Sequence, residues 1–294
     1  MTQPAATRRR RFRQVDVFTT TPFRGNPVAV ILDADGLDTG QMQAIARWTN
    51  LSETTFALAP EDPRADYQLR IFTPRSELPF AGHPTIGSAH ALLEAGIVTM
   101  RDGRLIQQCK AGLIELTIEP QSARIWLRAP STNVTRLDDA DRDALQRALG
   151  LRCHEDAMRI DMGPVWITVQ IDDTADLLQI EPDMAAITVL SERLHATGVT
   201  AFQAIAGAHP EFEVRSFAPR VGVPEDPVCG CGNACIGALL AMRGQSAEHI
   251  ARQGRAIGRD GRIAVRYLNN AGAASAEVWI GGSCVTCVDG ELRT

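Results

Sequence analysis

Residues 69–93, LRIFTPRSELPFAGHPTIGSAHALL, return in altered form at 214–240 as VRSFAPRVGVPEDPVCGCGNACIGALL. Arg70, Phe72, Pro74, Arg75 and Pro79 reappear at the same spacing as Arg215, Phe217, Pro219, Arg220 and Pro224, ahead of a Gly-rich turn and an Ala/Leu-rich run. The chain therefore reads as two half-chains of one design. Residues shared by both copies, from Arg70 and Arg215 through the two Gly turns, are expected to build a symmetric cradle for an acidic substrate. Residues on which the copies disagree, chiefly Glu53, His83, Asp226, Cys229 and Cys231, are the candidates for chemistry.

A repeat period of roughly 145 residues is the size of a domain rather than of a solenoid unit. The 294 residues accordingly divide into two α+β domains, expected at 1–130 and 131–294, with the last strand able to return to the first domain. A net charge of −5 and a pI near 5.7 offer no general attraction to nucleic acid or to an anionic membrane. The one concentration of positive charge, Arg8 to Arg11 with Arg13, is expected to be a frayed basic tail. Seven scattered cysteines suit reduced thiols in a cytoplasmic protein better than a disulfide framework. No stretch has the length of a membrane span.

Around the repeated stretches, β-branched runs at 15–19 and 27–32 predict strands, and Asp38 with Gln41 forms a capping box opening a helix at about 40–49. Met42, Ile45, Ala46 and Trp48 share one face of that helix. Strands follow at 54–59 and 67–72, then a helix at 85–94 stopped by Gly96, a hairpin turning at Ala111-Gly112, and a strand at 124–128. The second half retraces this order: 163–169 echoes 25–31, the helix at 184–194 stands for the one at 40–49, Val199 falls where the first half has Glu53, and a hairpin returns at Asp260-Gly261.

Four constellations carry potential chemistry. Each Gly turn, around Gly82 and around Gly230 and Gly232, opens a helix, whose unpaired N–H groups and partial positive charge suit a carboxylate or an enolate. Taken singly such a turn could merely cap a helix; the duplication argues for a ligand. Glu53, after Ser52 and at the mouth of a strand, occurs in one copy only, so the fold does not require it. In a cleft its pKa would rise towards neutrality, which suits a general acid/base. His83 sits inside the first Gly turn and Asp226 just before the second. Cys229 and Cys231 lie at a helix N-terminus, where a thiolate is stabilised. Cys229, Cys231 and Cys235 lack the partners of a metal site, and no phosphate-loop or dinucleotide fingerprint is present, so neither metal nor cofactor is expected.

The combination of VDVF at 15–18, GNPVAV at 25–30, NLSETTF at 50–56, RIFTP at 70–74, ELPFAGHPTIG at 77–87, EDPV at 225–228 and GEL at 290–292 resembles the PhzF-like phenazine biosynthesis family, of the diaminopimelate epimerase-like fold. The resemblance implies two pseudo-symmetric domains, each a barrel-like mixed sheet around a central helix, a cofactor-free isomerase with its cleft between the halves, and a homodimer. It implies that Glu53 shuttles the proton, that His83 and Asp226 support it, and that the backbone at Gly82 and Gly230 holds the carboxylate of a small acidic metabolite; Ser52 and Gly232 are further candidates for binding the substrate. The chain departs from the family where Cys229 and Cys231 replace hydroxyl residues. The second Gly turn thereby resembles the cysteine turn of amino-acid epimerases and racemases, although the opposite turn has Ala81. An epimerase pairing Cys229 with Glu53, and a non-catalytic metabolite-binding protein, stand as the alternatives.

Overall fold

The computed structural model describes residues 8–172, 176–207, 211–268 and 276–294. Contacts divide the chain into two compact units. The first takes in the chain up to Phe23, then Pro27–Leu127 and Gly282–Thr294, and the second takes in Arg24–Asn26 and Arg128–Gly281.

In the first unit the order is β1 (Arg9–Val17), β2 (Asn26–Ile31), α1 (Thr39–Thr49), β3 (Thr54–Leu58), β4 (Tyr67–Phe72), β5 (Glu77–Leu78), α2 (Gly82–Glu94), β6 (Arg104–Cys109), β7 (Gly112–Ile118) and β8 (Ile125–Arg128). The second has β9 (Asn133–Arg136), α3 (Asp139–Leu149), β10 (Met158–Asp161), β11 (Val165–Gln170), α4 (Met184–Arg193), β12 (Gly198–Ala204), β13 (Glu211–Ala218), β14 (Val223–Asp226), α5 (Gly230–Met242), β15 (His249–Gln253), β16 (Gly261–Leu268) and β17 (Glu277–Gly282). The final strand, β18 (Cys284–Arg293), pairs antiparallel with β1. Each unit is a mixed sheet of one pattern: β2 runs parallel to β3, β3 antiparallel to β4 and β4 parallel to β6, as β11 runs to β12, β12 to β13 and β13 to β15. The hairpin expected at Asp260-Gly261 is the antiparallel pair β15 and β16, joined by a longer connection than the tight β6–β7 turn.

Strand alternation assigns one face of each sheet to each helix layer. Phe56 of β3 and Phe72 of β4 pack with Met42 and Ala46 of α1, whereas Thr55, on the opposite face, hydrogen-bonds Ser88 of α2 at 2.8 Å. The second unit repeats this: Val199, Ala201 and Phe217 pack with Ile187 and Leu190 of α4, while Thr200 faces Gly232 of α5. Helices α2 and α5 are buried nearly all round, which explains their runs of Ala, Gly, Ile and Leu without a polar face.

Register fixes how the copies correspond. Thr54 lies opposite Phe72 and beside Ala29; Val199 lies opposite Phe217 and beside Ile167. Thr54 therefore answers to Val199, and Glu53 answers to Gly198, one residue from the alignment expected. A Cβ at Gly198 would lie 2.0 Å from the Phe217 carbonyl oxygen, so the second copy has no room for a side chain there. Ile71 opposes Leu78 while Ser216 opposes Asp226, which pairs Pro79 with Pro227 rather than with Pro224. A register shift between Ser216 and Ala218 and the 3-10 turn Pro219–Val221 lengthen the second copy. The spacing from Arg70 to Glu77 is 7 and from Arg215 to Glu225 it is 10.

Two further expectations are corrected. The basic run 8–13 is not frayed: Arg9 to Val17 pair with β18, and Arg10 and Arg13 are buried. Arg10 donates to the carbonyls of Asp33 and Asp35, and Arg13 pairs with Glu94 and Asp289. The capping box of Asp38 and Gln41 is present, but Trp48 is 75% exposed and lies off the face that Met42 and Ala46 bury. Among the described residues no helix is long and apolar enough to cross a membrane.

Candidate active site

Helix α1 ends at Asn50, whose left-handed backbone (φ 53°) reverses the chain towards β3. The Thr49 and Thr54 hydroxyls, 2.6 Å apart, tie the end of the helix to the start of the strand, and the Glu53 carbonyl accepts from the Ala29 N–H at 3.4 Å. Ser52 and Glu53 are thus delivered at the mouth of β3 with little backbone freedom. Glu53 shares the face of Thr55, the face on which α2 lies, and its Oε2 reaches 3.5 Å from His83 Nε2 in the first turn of that helix. Ser52, Glu53 and His83 are therefore brought together within the first unit.

The Glu53 side chain is only 16% exposed, and among the described residues no hydrogen-bond donor reaches its buried Oε2. Desolvation pushes its pKa from 4.5 up to about 7, against the opposing pull of a hydrogen bond from the Ser52 side chain. A carboxyl group poised there exchanges a proton in either direction at neutral pH. Beside it, α2 begins at Gly82 after Ala81, which supplies no side-chain cap, and Pro84 has no N–H. Helix α2 thus starts without a side-chain cap from its N-cap residue, at the partially positive end of the helix.

The second unit assembles the remaining candidates around the start of α5. Asp226 Oδ1 accepts from Asn26 Nδ2 at 3.0 Å and from the Val228 N–H at 3.1 Å. Cys229 is the N-cap, and its Sγ accepts from the Gly232 N–H at 3.2 Å. That bond engages the Gly232 N–H within the turn. A Cβ there would come within 2.5 Å of Thr200 Oγ1, so Gly232 is a close-packing glycine. Gly230 and Cys231 occupy the positions that Gly82 and His83 hold in α2.

The thiolate expected at Cys229 is also corrected. Burial, followed by the charges of Asp226 and Cys231, drives its pKa well above 9, which outweighs the hydrogen bond from Gly232 and keeps the thiol protonated. Its counterpart is Ala81, so no second thiol answers it. Cys229→Ser is expected to keep proton-transfer activity within about threefold and to change stability by no more than about 1 kcal/mol, since serine is the better N-cap. Thermal unfolding and an isotope-exchange assay check this, and a hundredfold loss of exchange would return Cys229 to the reacting groups.

The symmetric arginine cradle is corrected as well. Arg70 is bidentate to Glu77 at 2.7 and 2.8 Å, and Arg215 to Glu225 at 3.0 and 2.8 Å. Both guanidinium groups fasten β5 and β14 to their neighbouring strands, so a substrate would have to displace a carboxylate to reach either. Two side chains that local sequence reasoning passed over stand beside the candidates: Asn26, within the quoted GNPVAV run, and Gln253, which no motif marks. Among the described residues no cluster of His, Cys, Asp or Glu is placed to hold a metal ion.

Comparison with known proteins agrees with this architecture. The family model for phenazine biosynthesis-like proteins, PhzC-PhzF, matches residues 15–290. The chain belongs to that family. Antisense-enhancing sequence 1 of Schizosaccharomyces pombe is 38% identical, over 95% of this chain and 97% of its own. Trans-2,3-dihydro-3-hydroxyanthranilate isomerase of Pseudomonas aeruginosa is 33% identical, over 95% of this chain and 98% of its own. Among solved structures, a PhzF-family phenazine biosynthesis protein of Bacillus anthracis superposes with a TM-score of 0.87 at 26% identity, covering 97% of this chain and 99% of that one. This PhzF-like chain is an enzyme of the isomerase type with an epimerase-like fold.

Proposed function

We propose that this PhzF-like protein is a cofactor-independent isomerase that moves a proton between two carbons of a small carboxylate-bearing metabolite. Glu53 takes the proton from a carbon activated by a neighbouring carbonyl, carboxylate or double bond and returns it to another carbon of the same molecule. Nothing is oxidised and no group leaves. The N-terminus of α2, which has no side-chain cap, stabilises the negative charge that develops, and His83 orients the reacting carboxyl group. Asp226 and the backbone at Gly230 are assigned to orienting the substrate. The substrate named for the Pseudomonas aeruginosa relative, a dihydro-hydroxyanthranilate, is the first compound to try.

The single observation that carries this reading is Glu53: buried, poised near neutrality beside His83, and opposed in the repeat by a glycine with no space for a side chain. Incubation of the protein in D2O with trans-2,3-dihydro-3-hydroxyanthranilate and a panel of small carboxylic acids, followed by mass spectrometry, is expected to show deuterium uptake that Glu53→Gln abolishes. Uptake unchanged in Glu53→Gln would refute the assignment.

A further inference from the structure

Asn26 and Gln253 are two more positions at which the repeated scaffold is one-sided. The strand register that pairs Ala29 with Ile167 pairs Asn26 with Pro164, which has no amide to donate. Gln253 lies beside Val214 on β13, and the same register in the first unit, where β6 runs beside β4, places Cys109 there. In each case the first-named residue reaches Asp226, whose own counterpart is Leu78. Four one-sided positions, Glu53 included, thus recur in a duplicated frame, and three of them meet at a single carboxylate and its turn.

The contacts are specific. Asn26 is buried, and its amide donates both to Asp226 Oδ1 and to the Val228 carbonyl, each at 3.0 Å. No donor among the described residues reaches Asn26 Oδ1, so this side chain is held for its N–H groups at the expense of its own acceptor. Gln253 is fully buried; its Nε2 donates to the Asp226 carbonyl at 3.0 Å, while its Oε1 accepts from the Cys229 N–H at 3.1 Å and from Asn233 Nδ2 at 2.9 Å. Asn233 in turn donates to the Cys229 carbonyl at 2.8 Å. One amide grips the carboxylate of Asp226, and the other grips its backbone together with the first turn of α5.

We infer that Asn26 and Gln253 are positioning residues that act through Asp226 and the α5 N-terminus, fixing the carboxylate rotamer and the aim of the Gly230 and Cys231 N–H groups. The inference rests on the isomerase reading above for the purpose of that positioning. A glutamine with both ends bonded and an asparagine spanning a side chain and the next loop carbonyl restrain the turn 226–233 against rotation.

The test joins amide hydrogen exchange on the ligand-free protein to kinetics with trans-2,3-dihydro-3-hydroxyanthranilate in D2O. Asn26→Ala and Gln253→Met, the second similar in length but without the donor to the Asp226 carbonyl and the acceptor for Cys229 and Asn233, are each expected to speed amide exchange across 226–233 by about tenfold, leaving 81–85 unchanged. Each is expected to lower kcat by about 10- to 100-fold with KM altered less than about threefold, and to add less than about twofold when combined with Asp226→Ala. Unchanged exchange at 226–233, or losses that simply multiply with Asp226→Ala, would overturn the inference. Activity that survives Glu53→Gln while the exchange result holds would instead overturn the isomerase reading and leave the restraint of the turn standing.

Discussion

Glu53→Gln is expected to lose about 10²- to 10⁴-fold in proton exchange, the usual contribution of a positioned general acid/base, and yet to be the more stable protein above pH 7. The sign follows from linkage. In the unfolded chain Glu53 titrates near 4.5, and in the folded protein near 7. Below pH 4.5 both states hold the proton, and the neutral glutamine changes little. Between 4.5 and 7 the folded state keeps a proton that the unfolded chain has released, so the stability contributed by the protonated carboxyl is lost progressively as pH rises. Above 7 the folded state carries a buried, ionised carboxylate, at a cost of at most about 3 kcal/mol. Thermal unfolding of the two proteins at pH 5 and pH 8 is expected to show curves that nearly coincide at the lower pH and separate at the higher, with the variant melting later. Activity of the native protein is expected to titrate near 7 rather than near 4.5. A variant that is inactive and no more stable at pH 8 would mean that the carboxylate is solvated in the folded state.

Arg215→Ala is expected to cost about 3–5 kcal/mol, the range for removing one partner of a buried ion pair. The Arg215 and Glu225 side chains are only 7% and 8% exposed, and Arg215 also donates to the carbonyls of Leu177 and Ile180. Its removal leaves a buried carboxylate and two carbonyls without their donor, and loosens β14, on which Asp226 sits. Arg70→Ala is expected to cost much less, because Arg70 is 23% exposed and Glu77 retains Lys110 at 2.7 Å. Replacing both members, as Arg215→Met with Glu225→Leu, is expected to recover most of the loss. Urea unfolding of the three variants measures all of this. Equal losses for Arg70→Ala and Arg215→Ala would show that burial does not govern the pair.

The two arginines illustrate what a sequence can and cannot convey. Their recurrence was visible as a repeat, and recurrence near Gly turns suggested an anion cradle. Their partners, however, lie 7 and 10 residues away on strands whose register depends on a bulge with no marked sequence signal. The same bulge separates the alignment of Pro79 with Pro224 from the true one, while Glu53 and Val199 differ from register partners by a single residue. Strand pairing allows a shift of one residue at little local cost, and only packing on both faces of the sheet selects among registers. The Cys229 thiol is a second case. The helix N-terminus that favours a thiolate was legible, whereas the burial and the neighbouring Asp226 that overrule it were not.

By itself the sequence determined the duplication, the main strands and helices that the two halves share, though not β9, α3 or β10, the capping box of α1, the two Gly turns, and Glu53 as a carboxylate that the fold does not need. These rest on periodicity, turn chemistry and spacing, all local properties of the chain. Only the tertiary structure decided which glycine opposes Glu53, that Arg70 and Arg215 are occupied, that Cys229 stays protonated, and that Asn26 and Asp226, 200 residues apart, share a hydrogen bond. Each of these depends on desolvation or on a partner brought close by folding, and neither quantity exists until the chain has packed.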